Sequence, residues 1–143
     1  MAQANLSRAD DAGFTLVEAV VALAIAAVVA AVAYPSYTAQ VRKSRRADAV
    51  VALMQVEQAQ ERWRGAHPDY AAELAAPQGL GLSAASAGGY YAVALSDAGA
   101  SGYVVTATAV PGRSQSADGD CTTLVVTVRH GNALRTPPQC WSR

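Results

Sequence analysis

The sequence predicts an α+β protein in which one long, kinked N-terminal helix packs on a small antiparallel β-sheet with a C-terminal disulfide loop. Three observations carry that prediction. Between Glu18 and Arg42 the chain has 23 consecutive uncharged residues. Residues 36 to 64 contain no Pro or Gly and repeat their apolar side chains at helical spacing. Beyond them, three segments rich in Val, Thr or Tyr are bounded by Gly, Pro, Asp or Ser, the pattern of short strands.

The first element is unusual in composition. The chain is 52% hydrophobic but only 15% charged, with 33 Ala and a single Phe among 143 residues. A soluble domain has about 25% charged residues and fills its core with larger side chains. The excess is local, because eight Ala fall in the run Ala19 to Tyr34. A bilayer core needs about 20 apolar residues, so the run is long enough to span one. Its alanines make it a weak anchor and also let helices approach closely. Three fates fit such a segment: a permanent anchor, a cleaved secretory signal, or a helix that starts in lipid and later becomes a protein core. Ala31-Val32-Ala33 offers a signal-cleavage match, but Arg8 is offset by Asp10 and Asp11 in what would be the basic flank. Arg42, Lys43, Arg45 and Arg46 follow the run, and the positive-inside rule would hold that flank in the cytoplasm. The cysteines point the other way, so orientation stays open.

The second half of the helix is amphipathic. Ala49, Leu53, Val56, Ala59 and Trp63 lie on one face, with Gly65 and Pro68 as the stop. Pro35 sits inside the helical pattern, where it predicts a kink or local unwinding. Residues 65 to 89 form a Gly-, Ser- and Ala-rich connector with a short turn of helix expected between Leu74 and Leu82. Strands are expected at Tyr90 to Ser96, Gly102 to Val110 and Thr122 to Arg129. Their links, Asp97 to Ser101 and Pro111 to Asp120, are short enough for meander turns. An exported domain would join Cys121 to Cys140, closing a loop worth about 3 kcal/mol in the chain-entropy picture. The alternative is a pair of buried free thiols in a cytosolic chain; a CxxC redox pair is excluded by the spacing.

Composition narrows function by exclusion. The length fits one domain plus one extra element and excludes a multidomain enzyme. Eleven acids balance eleven bases, which excludes a chain-wide polybasic DNA reader but leaves room for a local patch. Two Cys and two His cannot build a Cys-rich zinc module or a c-type haem site. His67 and His130 lie beside no nucleophile pattern, and no Gly-rich phosphate loop follows a strand. Asp118-Gly119-Asp120 lacks the glutamate of an EF-hand. Glu57 and Glu61, with Arg62 and Arg64 nearby, read as a solvated surface. No enzyme activity, cofactor or metal is expected.

The junction before the apolar run is more specific than the run itself. Gly13-Phe14-Thr15-Leu16-Val17-Glu18 resembles the cleavage and methylation signature of type IV pilins and pseudopilins, although the leader has one Arg and two Asp where basic residues usually dominate. Ala33-Tyr34-Pro35-Ser36-Tyr37 is similar to that family's proline-containing bend. Gly89-Tyr90-Tyr91, Tyr103 to Ala109, Cys121-Thr122-Thr123-Leu124 and Cys140-Trp141 resemble minor pilins of the PilE type.

The resemblance implies a leader at residues 1–13, a membrane and filament-core helix at 14–37, an amphipathic helix at 38–64 and a β-sheet head at 65–143. It implies cleavage between Gly13 and Phe14, a methylated Phe14, and Glu18 and Pro35 as assembly residues. The expected partners are the prepilin peptidase, an inner-membrane assembly platform and other pilin subunits, with the lipid bilayer before assembly. The chain would cross the inner membrane once, N-terminus in the cytoplasm, and then join an extracellular pilus serving assembly, adhesion or twitching motility. A carboxylate in a membrane helix should be paired, so Glu18 is expected to meet the Phe14 ammonium of a neighbouring subunit. Two alternatives remain: a secretion pseudopilin, and a pilus-borne DNA receptor. For the latter, Arg113, Arg129, His130, Arg135 and Arg143 would form the phosphate patch, interrupted by Asp118 and Asp120. DNA-receptor pilins usually carry a second disulfide, which this chain lacks. The bases at Arg42 to Arg46 read as a solvated flank near lipid headgroups, or as contacts to acidic groups of neighbouring subunits.

Overall fold

The computed structural model describes residues 14–141. The chain divides into two units between Tyr37 and Thr38, and one helix, α1 (Leu16–Arg64), contributes to both.

In the first unit every described residue is exposed. An 18-residue window of α1 near the N-terminus has a mean hydropathy of 2.7 and is 0% buried, so the segment is long and apolar enough to cross a membrane. Thr15 caps its start: the Thr15 Oγ1 accepts the Glu18 N–H at 3.2 Å, the Thr-x-x-Glu arrangement that satisfies an otherwise orphaned helix donor. The helical assignment runs through Pro35. The expected local unwinding is therefore absent; a proline removes one backbone bond and leaves the rest of the ladder available.

The second unit carries its own core. The Thr38-to-Arg64 part of α1 lays Ala49, Ala52, Leu53 and Val56 against a four-stranded antiparallel meander, in the order β1 (Tyr91–Gly99), β2 (Gly102–Ala109), β3 (Thr123–Arg129) and β4 (Asn132–Thr136). Side chains of a strand alternate between faces, so Tyr91 and Val93, then Tyr103, Val105, Ala107 and Ala109, then Leu124, Val126 and Val128 reach the helix side. Register holds them in rows, with Val105 opposite Leu95 and Val126. Gly102 is required by close approach: a Cβ there would collide with the Val128 carbonyl across the β2–β3 pair.

The buried tyrosines are tuned by that packing. Burial pushes the Tyr103 hydroxyl well above the usual phenol range, with Glu57 and Glu61 adding to the effect. Tyr91 is also raised by burial, partly offset by the hydrogen bond it accepts from Gln115.

Two elements differ from the sequence expectation. No helix forms between Leu74 and Leu82, where the backbone takes turns and bends instead. Packing of Leu74, the bond from Leu82 N to Leu74 O at 2.7 Å and that from Leu80 N to Glu73 O at 3.0 Å hold this stretch. Strand β4 was not expected. It is an edge strand, exposed from Asn132 to Arg135, and so lacks the apolar alternation that marks a half-buried strand. Its signal was the turn: His130 (φ 50) and Gly131 (φ 79) both take positive φ, as a two-residue primed hairpin turn demands.

The disulfide joins Cys121 to Cys140 with Cα atoms 5.5 Å apart. Both cysteines end short 3₁₀ segments, Gly119–Cys121 and Pro138–Cys140, so the bridge ties the β2–β3 connection to the chain beyond β4.

Candidate functional site

One stretch of α1 organises the loops at one end of the sheet. Asp48 accepts Ser86 Oγ–H at 2.5 Å and Gly88 N–H at 2.9 Å, and Ser86 Oγ in turn accepts Tyr91 N–H at 3.0 Å. The turn leading into β1 is thereby fixed to the helix. Gly89 (φ +65) completes that turn, in a conformation L side chains rarely adopt.

The β2–β3 connection is fixed to the same helix by a second set of contacts. Arg46 makes two parallel bonds to Asp118, at 2.6 and 2.9 Å, in a largely buried pair whose side chains are 19% and 5% exposed. That bond to Asp118 raises the Arg46 pKa against the opposing effect of burial. Between them lies Gln115, fully buried, whose Nε2 donates to the Arg42 carbonyl at 3.1 Å and to Tyr91 Oη at 2.9 Å. The Arg42 carbonyl can only accept, so the amide nitrogen must face it. This leaves Gln115 Oε1 buried with no hydrogen-bond partner among the described residues, a penalty of about 1–3 kcal/mol that the surrounding contacts offset.

These two anchors bring three side chains together. Arg45 lies over the Tyr90 ring with its Cζ 4.8 Å from the centroid, and Arg113 approaches the same ring at 5.9 Å. Arg45 Nη1 also donates to Ser114 Oγ at 2.5 Å, and Arg113 Nη1 reaches the Gly88 carbonyl at 3.4 Å. Arg42, Lys43, Arg45 and Arg113 make no ion pair with a carboxylate among the described residues.

The residues expected to form one basic patch are placed differently. Arg113 belongs to the cluster just described. Arg129 and His130 lie at the other end of the sheet, since Arg129 pairs with Gly102 and Asn132 while Thr123, at the start of the same strand, pairs with Thr108. Six residues of strand separate the two ends, about 20 Å. Arg135 lies between them and is held by Glu57 at 2.8 Å, with its guanidinium 5.7 Å from the Trp141 ring. Arg143 and Gly13 lie outside the described residues. Arg45, from the basic stretch Arg42 to Arg46, stands beside Arg113 at the Tyr90 ring, which a linear sequence does not reveal. Tyr90 appeared only as the first residue of an expected strand and within the Gly89-Tyr90-Tyr91 motif.

Two family profiles match the chain. The prokaryotic N-terminal methylation motif matches residues 8–34, and the profile described as "Type IV minor pilin ComP, DNA uptake sequence receptor" matches residues 35–125, more than half of the chain. The chain belongs to the ComP family of type IV minor pilins. No curated protein and no solved structure matches it significantly. Of the residues the structure describes, the ComP match covers 35–125 and leaves out 14–34 at the start of α1 and 126–141, which hold most of β3, β4 and the C-terminal turn. The helix residues that anchor the loops, the Tyr90 turn and the β2–β3 connection all fall inside it.

Proposed function

We propose that this minor pilin is cleaved between Gly13 and Phe14, methylated at Phe14 and assembled into a type IV pilus, where its globular unit binds DNA during uptake. The methylation-motif match over residues 8–34 supports the processing step. The exposed apolar segment is long and apolar enough for a single crossing of the inner membrane before assembly, and an N-terminus in the cytoplasm goes with the prepilin-type processing proposed here. In this reading the prepilin peptidase acts while the segment is in lipid and the inner-membrane assembly platform follows; once the segment leaves lipid, its apolar surface needs the matching helices of other subunits.

The observation that carries the DNA reading is the segregation of charge within the second unit. Arg45 and Arg113 meet at the Tyr90 ring, with Arg42 and Lys43 on the adjoining turn of α1, and none of the four has an ion-pair partner among the described residues, whereas Arg46 and Arg135 are each taken by a carboxylate. A compact group of uncompensated bases attracts phosphates. That reading is favoured over adhesion or twitching motility, for which no residue constellation speaks, and over a secretion pseudopilin, since the matched family is one of minor pilins. A second disulfide is not needed to stiffen this surface. The Arg46–Asp118 pair and Gln115 hold the β2–β3 connection where another bridge would otherwise be useful.

The test is fluorescence anisotropy of a short labelled duplex with the full chain in zwitterionic detergent, across a salt series. Three or four phosphate contacts predict binding at low salt with a log–log slope of about −3. An absence of binding at about 50 mM salt removes the DNA reading; family membership stands independently of it.

A further inference from the structure

The geometry points to the Tyr90 ring as a platform that holds Arg45 and Arg113 as a paired phosphate clamp, the site where the DNA backbone is gripped. This site rests on the DNA reading above and adds its location and the role of an uncharged residue.

Stacking and hydrogen bonding use different parts of a guanidinium. The cation–π contact occupies its face, while its five N–H donors lie in the plane and point outward. Arg45 commits one donor to Ser114 Oγ, and Arg113 commits one, at 3.4 Å, to the Gly88 carbonyl. The remaining donors on both side chains meet no carboxylate among the described residues. Free arginine loses side-chain freedom when it grips a phosphate. Here the ring has already restricted both side chains, so more of the charge-assisted bond appears as affinity.

The scaffold below the clamp is rigid at each attachment. Asp48 fixes the Ser86-to-Tyr90 turn, Arg46 and Gln115 fix the Arg113-to-Asp118 segment, and Arg45 rises from the helix between those anchors. Exposed Ser116 lies on the same segment. Guanidinium groups held in this way offer charge and N–H donors to backbone phosphate, a contact that carries no sequence information of its own. Tyr90 is a positioning residue: it acts through the two arginines.

Of the expected patch the site keeps Arg113 alone, because Arg129 and His130 occupy the opposite end of the sheet. Anionic lipid presents the same phosphate chemistry, and the variants below separate the two ligands.

The experiment measures duplex binding and its salt slope for the full chain in zwitterionic detergent, alongside sedimentation with vesicles containing anionic phospholipid. Arg45→Gln/Arg113→Gln should weaken DNA binding about tenfold or more and make the slope shallower by about 1.8, the loss of two phosphate contacts. Exposed Arg113→Gln alone should give about half that change in slope, and it serves as the arm in which folding is not at issue. Tyr90→Leu, with no change in charge, should lower affinity, and Tyr90→Phe, which keeps the ring, should restore it. Arg129→Gln/His130→Gln should leave both affinity and slope unchanged.

Wild-type affinity and slope in Arg113→Gln and the double arginine variant overturn the clamp, and a loss confined to Arg129→Gln/His130→Gln moves the DNA surface to the other end. Loss of vesicle binding with unchanged DNA binding assigns the arginines to lipid and likewise overturns it. If the wild-type chain binds no DNA at low salt, the DNA reading fails and the clamp with it. If Tyr90→Phe binds as weakly as Tyr90→Leu, the ring has no positioning role.

Discussion

Cys121→Ser/Cys140→Ser is expected to lower the stability of the second unit by about 3 kcal/mol, within the 2–5 kcal/mol range for removal of a native disulfide from a small domain. The bridge closes a stretch containing β3 and β4 and leaves both sulfurs buried, with Cys121 5% and Cys140 1% exposed. Without it, the edge strand β4 is held by its pairing with β3, by the Arg135 contact with the Trp141 ring and by the exposed Arg135–Glu57 ion pair, itself worth about 0–1 kcal/mol. A core in which Ala and Val outnumber larger aliphatic residues has little surplus to absorb that loss. Thermal unfolding followed by circular dichroism should show a midpoint lower by about 10 °C or more. Reduction of the wild-type chain should produce a similar drop, and an unchanged midpoint in both would show that the bridge contributes little.

Glu18→Ala is expected to leave processing and membrane insertion intact and to reduce incorporation into pili about tenfold or more, the effect of losing a pairing worth about 1.4 kcal/mol. In the membrane the change is tolerable: it removes a carboxylate that costs free energy in lipid and a favourable charge at a helix start worth about 0.3–1 kcal/mol. The Thr15 hydroxyl still caps the first turn through the residue 18 backbone N–H. In the filament the proposed partner of Glu18 is the Phe14 ammonium of a neighbouring subunit, and that charge would be left buried and unpaired. Immunoblots of sheared pili against membrane fractions measure the ratio. Wild-type incorporation would dispose of the pairing.

Much of the fold was legible because its signals are periodic. Ala49, Leu53, Val56, Ala59 and Trp63 announce one helix face by spacing alone; the first four are buried, whereas Trp63 is half-buried and stacks on His67. Strands β1 to β3 were visible through their Val, Thr and Tyr content. β4 was not, since an edge strand has no need to bury alternate residues and Asn132 to Arg135 are all exposed. The connector between Leu74 and Leu82 contains helix-favouring residues, yet its structure is set by tertiary bonds and packing rather than by propensity.

The candidate site was legible in its ingredients and not in its assembly. Arg113 and the bases at Arg42 to Arg46 stand out in the sequence, but only folding returns the β2–β3 connection to the helix through Asp118 and Gln115. The same folding separates Arg113 from Arg129 and His130, which sequence proximity to the disulfide loop had grouped. Arg135 was counted as a free base, although the structure gives it to Glu57.

The central claim is that this chain is a processed pilus subunit, and intact mass spectrometry of the chain recovered from sheared pili tests it most directly. The expected species runs from Phe14 to Arg143, carries one added methyl group and lacks the two hydrogens removed by the Cys121–Cys140 bond. Recovery of a chain that still begins at Met1, or its absence from pili that are otherwise intact, would contradict the claim.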